Sequence, residues 1–140
     1  MKQTLTFQVT MADPYEIAVE KVTAALKTEG FGVLTQIDVK ATLKEKLDAD
    51  FHPYVILGAC NPPLAHQALL SDPLVGLLLP CNVTVQETED GSQVNIINPD
   101  AMLGIPPFSN DDRICEVAAE ARTRLERVAA ALQDGKKFES

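Results

Sequence analysis

Apolar and polar residues alternate in two segments near the start of the chain. Leu5, Phe7 and Val9 are separated by polar residues within segment 4–10, and the same alternation recurs over segment 31–39. A period of two is typical of half-buried β-strands. The continuous apolar run 54–59 predicts a third strand, covered on both faces.

Segments of helical periodicity separate these strands. The first predicted helix is capped by Asp13 and ends at Gly30, and a short second helix covers 39–47. A third helix begins after the 54–59 strand, with Asn61 as its N-cap and Pro62 in its first turn.

The second half of the chain predicts a hairpin. Segments 77–79 and 83–86 frame a strand interrupted around Pro80, which suits a bulge or an edge strand because proline breaks a central ladder. The pair Asp90-Gly91 is a strong hairpin-turn signal, and 94–97 supplies the returning strand.

The last predicted helix has the clearest pattern. Ser109 with Asp112, or Asn110 alone, is expected to cap it, and Gly135 to end it. Its apolar residues follow steps of three and four almost without interruption: Ile114, Val117, Ala118, Ala121, Leu125, Val128 and Leu132.

This order of elements predicts an α+β fold in a single domain spanning 1–140. We expect a mostly antiparallel sheet with helices on one side, the long C-terminal helix packed across it, and residues 135–140 as a frayed tail. No internal repeat or long linker divides the chain.

The composition narrows the classes of partner. Twenty acidic residues against twelve basic ones give a formal charge of −8, which disfavours binding to nucleic acid. No apolar run reaches the roughly 18 residues of a membrane span. With no export signal at the N-terminus, we expect a cytoplasmic protein whose three cysteines are reduced thiols.

Two Cys-Asn pairs, each beside a proline, are the candidates for chemistry. Cys60-Asn61 stands where a strand is followed by a helix, and a thiol near a helix N-terminus can have a lowered pKa. Cys81-Asn82 follows Pro80, and His66 lies less than two helical turns after Cys60. We therefore expect Cys60, Cys81 and His66 to converge.

Three interpretations of these residues remain open at this point. The cysteines can be small buried apolar residues, with the asparagines serving as caps and turns. They can form a thiol site, redox or nucleophilic, with His66 as base. They can also form a metal site of Cys60, Cys81 and His66, although the spacing lacks the Cys-x-x-Cys signature.

Three stretches of the chain, in this order, resemble one known family. They are the segments 29–39 (Glu-Gly-Phe-Gly-Val-Leu-Thr-Gln-Ile-Asp-Val), 57–66 (Leu-Gly-Ala-Cys-Asn-Pro-Pro-Leu-Ala-His) and 77–83 (Leu-Leu-Leu-Pro-Cys-Asn-Val). Together they resemble the bacterial and archaeal family called domain of unknown function 302, over about residues 7–132.

The resemblance implies a curved, largely antiparallel sheet with a long C-terminal helix, and it implies homodimers. Cys60, Asn61, His66, Cys81 and Asn82 match the family's pattern, as do the prolines beside them. No activity and no cofactor follow from it. The functional hypothesis is a small-ligand- or metal-binding or thiol-based module at these residues, and the alternative is a non-catalytic dimeric structural or interaction domain.

Overall fold

A computed structural model describes residues 4–135, which form an open antiparallel sheet covered by helices. The strands are β1 (Thr6–Met11), β2 (Gly32–Asp38), β3 (Tyr54–Cys60), β4 (Cys81–Thr88) and β5 (Gly91–Ile97). The helices are α1 (Tyr15–Thr28), α2 (Val39–Leu47), α3 (Pro62–Ser71), α4 (Pro99–Met102) and α5 (Asp112–Gln133), with 3₁₀ segments at Pro73–Leu78 and Phe108–Asn110. The α+β prediction with a long C-terminal helix is confirmed.

The five strands lie in the order β1-β5-β4-β3-β2, and every neighbouring pair is antiparallel. The prediction of a bulge or an edge strand around Pro80 is wrong. β4 is the central strand, and Cys81 pairs regularly with Ala59 and Asn82 with Gly58. Pro80 is tolerated because it lies just before the first residue of β4, outside the hydrogen-bonded ladder.

One face of the sheet forms the main core. Alternate residues of the inner strands, such as Val55 and Leu57 on β3 and Val83 and Val85 on β4, are buried together with apolar residues of α1 and α5. The predicted stripe of α5 is confirmed, since all seven of its apolar positions are buried.

The opposite face of the sheet carries polar side chains that pair across the strands. Asn95 donates to the Thr84 hydroxyl at 3.4 Å, and the Thr10 hydroxyl donates to the Gln93 side chain at 3.0 Å. Burial on one face and polarity on the other is the usual arrangement in antiparallel sheets.

Helix caps follow the sequence in part. Asn61 caps α3 as predicted, but α1 has no side-chain cap, because Asp13 forms an ion pair with Lys21 at 2.6 Å. Helix α5 is capped by Asp111, which accepts from the Ile114 N–H at 3.1 Å, and not by Ser109 or Asn110.

A second, smaller apolar cluster lies beside the main core. It is made by α3, α5 and the two 3₁₀ segments, with Ala68, Val75 and Ile114 among its buried members. The Ser71 hydroxyl donates to Asp111 at 2.6 Å and so links the end of α3 to the start of α5. Apart from Gly135, the tail predicted to fray lies outside the described residues.

Helices long and apolar enough to cross a bilayer are not found between residues 4 and 135.

Candidate functional site

An apolar pocket lies where β3 ends and β4 begins. Cys60 and Asn61 line it from one side and Pro80 and Cys81 from the other, and α3 closes it with three further residues, Leu64, Ala65 and Ala68. Its cavity volume is about 40 Å³, which is room for about three water-sized molecules. The fold therefore brings two of the predicted residues, the two site cysteines, to one cavity.

Asn61 fixes the point at which β3 passes into α3. Its side chain is buried, accepts from the Leu64 N–H at 3.3 Å and donates to the Glu29 carbonyl at 3.3 Å. The Arg124 guanidinium donates to the same carbonyl at 3.2 Å. These bonds tie α3 to the chain before β2 and to α5, and so they position the neighbouring Cys60.

Gly58 allows the cysteine-bearing strands to approach closely. A Cβ at this position would lie 2.1 Å from the Thr35 hydroxyl oxygen and 2.7 Å from the Pro80 Cγ. Neither distance is possible for real atoms, so only glycine lets Pro80 pack against β3. This contact places Cys81, the next residue, at the start of β4.

Burial makes both thiols of the pocket weak acids. Burial raises the pKa of Cys60, and burial together with the neighbouring Cys60 charge raises the pKa of Cys81 to about 11. The direction is opposite to the lowering expected for Cys60 from the helix start. Desolvation of the thiolate in an apolar wall disfavours the charged form, so both groups are protonated at neutral pH.

His66 and Asn82 are not at the pocket. Both side chains are exposed, and neither lines the cavity. Within residues 4–135 no three His, Cys, Asp or Glu side chains are grouped so that they could hold a metal ion. Of the three residues that were expected to converge, Cys60 and Cys81 line the pocket and His66 does not.

The position of His66 on α3 explains its absence from the pocket. Leu64, Ala65 and Ala68 lie three and four residues apart or next to each other, so they share the helix face that lines the cavity. His66 follows Leu64 by two residues, which turns it about 200° away from that residue.

The far wall of the pocket comes from α4 and α5, which sequence reasoning missed. Pro99, Met102 and Leu103 line it from α4 and the residue after it, and α5 adds Val117, Ala118 and Ala121. The helix start Asn98-Pro99 gives no sign in the sequence that α4 faces Cys60. That neighbourhood arises only from the packing of α4 on α5.

Three polar contacts hold α4 in place. The Asn98 side chain accepts from the Asp100 N–H at 3.0 Å and donates to the Thr4 carbonyl at 2.8 Å. Asp100 forms an ion pair with Arg122 of α5 at 2.5 Å. Met102, the last residue of α4, therefore lines the pocket from a fixed helix.

Comparison with known proteins identifies the family. The family model described as "Domain of unknown function DUF302" matches residues 7–132. The chain belongs to the DUF302 family. The resemblance seen in the three sequence stretches is thus confirmed over the range that they indicated.

A solved structure of another DUF302 protein has the same fold. It is an uncharacterized conserved protein from Bacillus stearothermophilus, 32% identical in sequence, with a TM-score of 0.81. The match covers 93% of this chain and 99% of that one. No protein with a curated description matches this chain. Membership in DUF302 therefore establishes the fold but assigns no activity.

Proposed function

We propose that this DUF302 protein is a small-ligand-binding module whose site is the pocket between Cys60 and Cys81. The observation that carries the proposal is that two cysteines from separate strands line one apolar cavity. Among the described residues that line it, none is Asp, Glu, Lys, Arg or His. A charged ligand would lose its hydration there without compensation, so the expected ligand is small and either apolar or soft.

The state of the thiols favours binding over nucleophilic catalysis. The nucleophile in thiol chemistry is the thiolate, and both pocket cysteines have a raised pKa. A general base that could remove the proton is also missing from the described lining, because His66 lies outside it. We also propose a cytoplasmic location, where the three free cysteines remain reduced.

Xenon is a suitable probe of this site, because it is uncharged, polarizable and binds in small apolar cavities. We expect xenon to shift the methyl NMR signals of Ala65, Val75 and Met102, which line the pocket, and to leave those of Val9, a buried residue of β1 outside the pocket, unchanged. Absence of any shift at the pocket methyls under xenon pressure would contradict the proposal.

A variant that fills the pocket, compared with the same change outside it, tests whether xenon binds there. Ala65 is half-buried at the cavity wall, so Ala65→Leu adds a side chain into the cavity and should abolish the xenon shifts. Ala119→Leu makes the same change at a half-buried position of α5 outside the pocket and should leave the shifts intact. If the two variants show the same xenon-induced shifts, xenon does not bind in this pocket, which would contradict the proposal.

A second candidate function, a homodimeric interaction domain, is supported by the edge strand β2. Six of its seven residues are exposed, including Leu34 and Ile37, and α2, which follows it, has no buried residue. Neither lysine nor proline protects this edge from pairing. The occupant that we propose is a second copy of the chain, because antiparallel pairing of β2 with itself satisfies twofold symmetry.

A further inference from the structure

The side of the sheet that faces away from the main core carries no charge. It is formed by the even-numbered residues of β1 and β4 and the odd-numbered residues of β5, which alternate with the buried residues of these strands; we call them the polar face. All of them except Gly91 and Ile97 have an amide or a hydroxyl side chain, and none is Asp, Glu, Lys or Arg. Charged residues make up 23% of the whole chain, so the polar face differs from an ordinary solvated surface.

A chain of hydrogen bonds orders the polar face across three strands. The Thr10 hydroxyl donates to the Gln93 side chain at 3.0 Å, Gln93 donates to Asn95 at 3.5 Å, and Asn95 donates to the Thr84 hydroxyl at 3.4 Å. A side-chain amide has two N–H groups, and the bonds within residues 4–135 use one from each of these amides. The second N–H groups are therefore available to a ligand, on side chains that are already ordered.

An aromatic cluster adjoins the polar face next to β3. The Gln86 side chain shares a hydrogen bond with His52 at 2.9 Å, and Gln86 lies opposite both Gln93 and Tyr54 in the sheet. The rings of Phe51, His52 and Tyr54 pack together, with centroids 4.3 to 6.1 Å apart. Phe51 is 38% exposed, so the row of amides ends at an aromatic surface that a ligand can reach.

The chemistry of the polar face disfavours most other partners. A phosphate backbone or an anionic membrane needs basic side chains, and a charged small molecule needs a counter-charge to replace its hydration. A second protein sheet would bury the amides against few apolar groups, at a cost for every hydrogen bond that is not replaced. A neutral polyhydroxylated ligand avoids these costs, because each of its hydroxyl groups both donates and accepts hydrogen bonds.

We infer that the polar face binds a neutral oligosaccharide. Its hydroxyl groups bond to the amides of Gln86, Gln93 and Asn95, and the C–H groups on one face of a sugar ring pack against the exposed ring of Phe51. None of these four residues lines the apolar pocket. This second site is therefore independent of the ligand proposed for that pocket.

The test is a titration of isotope-labelled protein with three neutral hexasaccharides, maltohexaose, cellohexaose and N-acetylchitohexaose, followed by the NMR signals of the side-chain amides. We expect saturable shifts of the Gln86, Gln93 and Asn95 signals with at least one of them. Hexagalacturonate should cause no such shifts, because its carboxylates find no counter-charge on the polar face. The affinity for the neutral sugar should not change with ionic strength, since salt screens interactions between charges.

Gln93→Glu keeps the shape of the side chain, removes its N–H donors and puts a charge on the polar face. It should weaken sugar binding by at least about tenfold, equivalent to about 1.4 kcal/mol. Gln67→Glu is the matched control, because it makes the same change at an exposed residue of α3, and it should bind as the unmodified protein does.

Phe51→Leu tests the aromatic contact, because it keeps an apolar side chain and removes the ring. We expect a loss of about tenfold in affinity, and unchanged affinity would contradict the stacking of a sugar on Phe51. Since Phe51 lies in the loop before β3, this variant also keeps the site testable if Gln93→Glu does not fold.

Several results would overturn the oligosaccharide site. They are the absence of shifts with all three neutral hexasaccharides, equal affinities of Gln93→Glu and Gln67→Glu, and tighter binding of hexagalacturonate than of the neutral sugars. Polar-face signals that shift with protein concentration before any sugar is added would assign this face to a second copy of the chain instead. Sugar binding by a protein that takes up no xenon would contradict the pocket proposal and leave this inference standing.

Discussion

At the scale of single residues, the two asparagines beside the cysteines have different roles despite the same local sequence. Asn61 is buried and bonded at both ends of its amide, whereas Asn82 is exposed on β4. The sequence predicted the cap from the following prolines. The bond to the Glu29 carbonyl could not be predicted, because it joins positions 32 residues apart.

Replacing Asn61 should therefore destabilise the fold, and replacing Asn82 should not. Asn61→Ala removes an N-cap and leaves buried backbone groups with fewer partners, which should lower the free energy of unfolding by about 1–3 kcal/mol. Asn82→Ala should change it by less than about 0.5 kcal/mol. Urea unfolding of both variants measures the difference, and equal losses would show that Asn61 has no special structural role.

The buried Cys81 thiol should make stability depend on pH in the alkaline range. Its pKa rises from 9.0 to about 11 on folding, so the unfolded chain loses this proton first as pH increases. The contribution is fully present below about pH 9 and is lost between about pH 9 and 11, to the extent of about 2–3 kcal/mol. The protein should therefore unfold more easily in this range.

Cys81→Ala isolates this effect from the other groups that titrate there. The difference in unfolding free energy between the unmodified protein and this variant should shrink as pH rises above 9. Cys115→Ala, at an exposed position, serves as the comparison. A difference between the unmodified protein and Cys81→Ala that stays constant from pH 7 to 11 would contradict a buried, protonated Cys81.

At the scale of elements, periodic patterns of apolar residues predicted the helices and their buried faces better than single residues predicted the helix caps. The α5 stripe was predicted residue by residue, because its burial follows from helical geometry alone. The predicted Asp13 cap of α1 is wrong, since α1 has no side-chain cap and Asp13 pairs with Lys21. The hairpin between β4 and β5 lies where the sequence predicted it. Its turn residues are Glu89 and Asp90, one position earlier than the predicted pair, and Gly91 begins β5.

Gly91, which the sequence marked as part of a turn, is also required by a tertiary contact. Its φ is +154°, and a Cβ there would lie 2.2 Å from the Met11 carbonyl oxygen. The glycine therefore permits the close approach of β1 to β5 as well as the hairpin. The sequence indicated the turn, but the contact with Met11 depends on the pairing of β1 with β5.

The edge strand β2 gives a prediction about assembly. If β2 pairs with a second copy, the 15.2 kDa chain should sediment as a dimer at micromolar concentration. Leu34→Lys puts a charge on this edge and should weaken association by at least about tenfold, because lysine is a common protection of edge strands. Leu70→Lys, a change at a similarly exposed residue of α3, should leave the dimer intact. A monomer at all concentrations, or loss of the dimer only in the α3 variant, would contradict pairing through β2.

At the scale of the whole molecule, the site is assembled from two distant parts of the chain. One part runs from Ala59 to Cys81 and the other from Pro99 to Ala121, and Phe31 adds a single residue from the chain before β2. Sequence motifs identified the first part, because Cys60, Asn61 and Cys81 stand out in their surroundings. The second part is apolar and carries no such signal, and only the packing of α3 and α4 against α5 reveals it.

The same tertiary arrangement bears on two of the interpretations that the sequence left open, the thiol site with His66 as base and the metal site with His66 as ligand. His66 was the proposed base and third metal ligand, but it lies on the exposed side of α3. The pocket that remains is apolar and lined by protonated thiols, which suits the binding of a small soft or apolar ligand.

The most direct test of a ligand-binding pocket at Cys60 and Cys81 is a crystal structure determined under xenon pressure. We predict a xenon atom in contact with Cys60, Cys81 and Met102, and no xenon at that place in Ala65→Leu crystals treated in the same way. A cavity without xenon, in crystals where xenon occupies another site, would contradict the central claim.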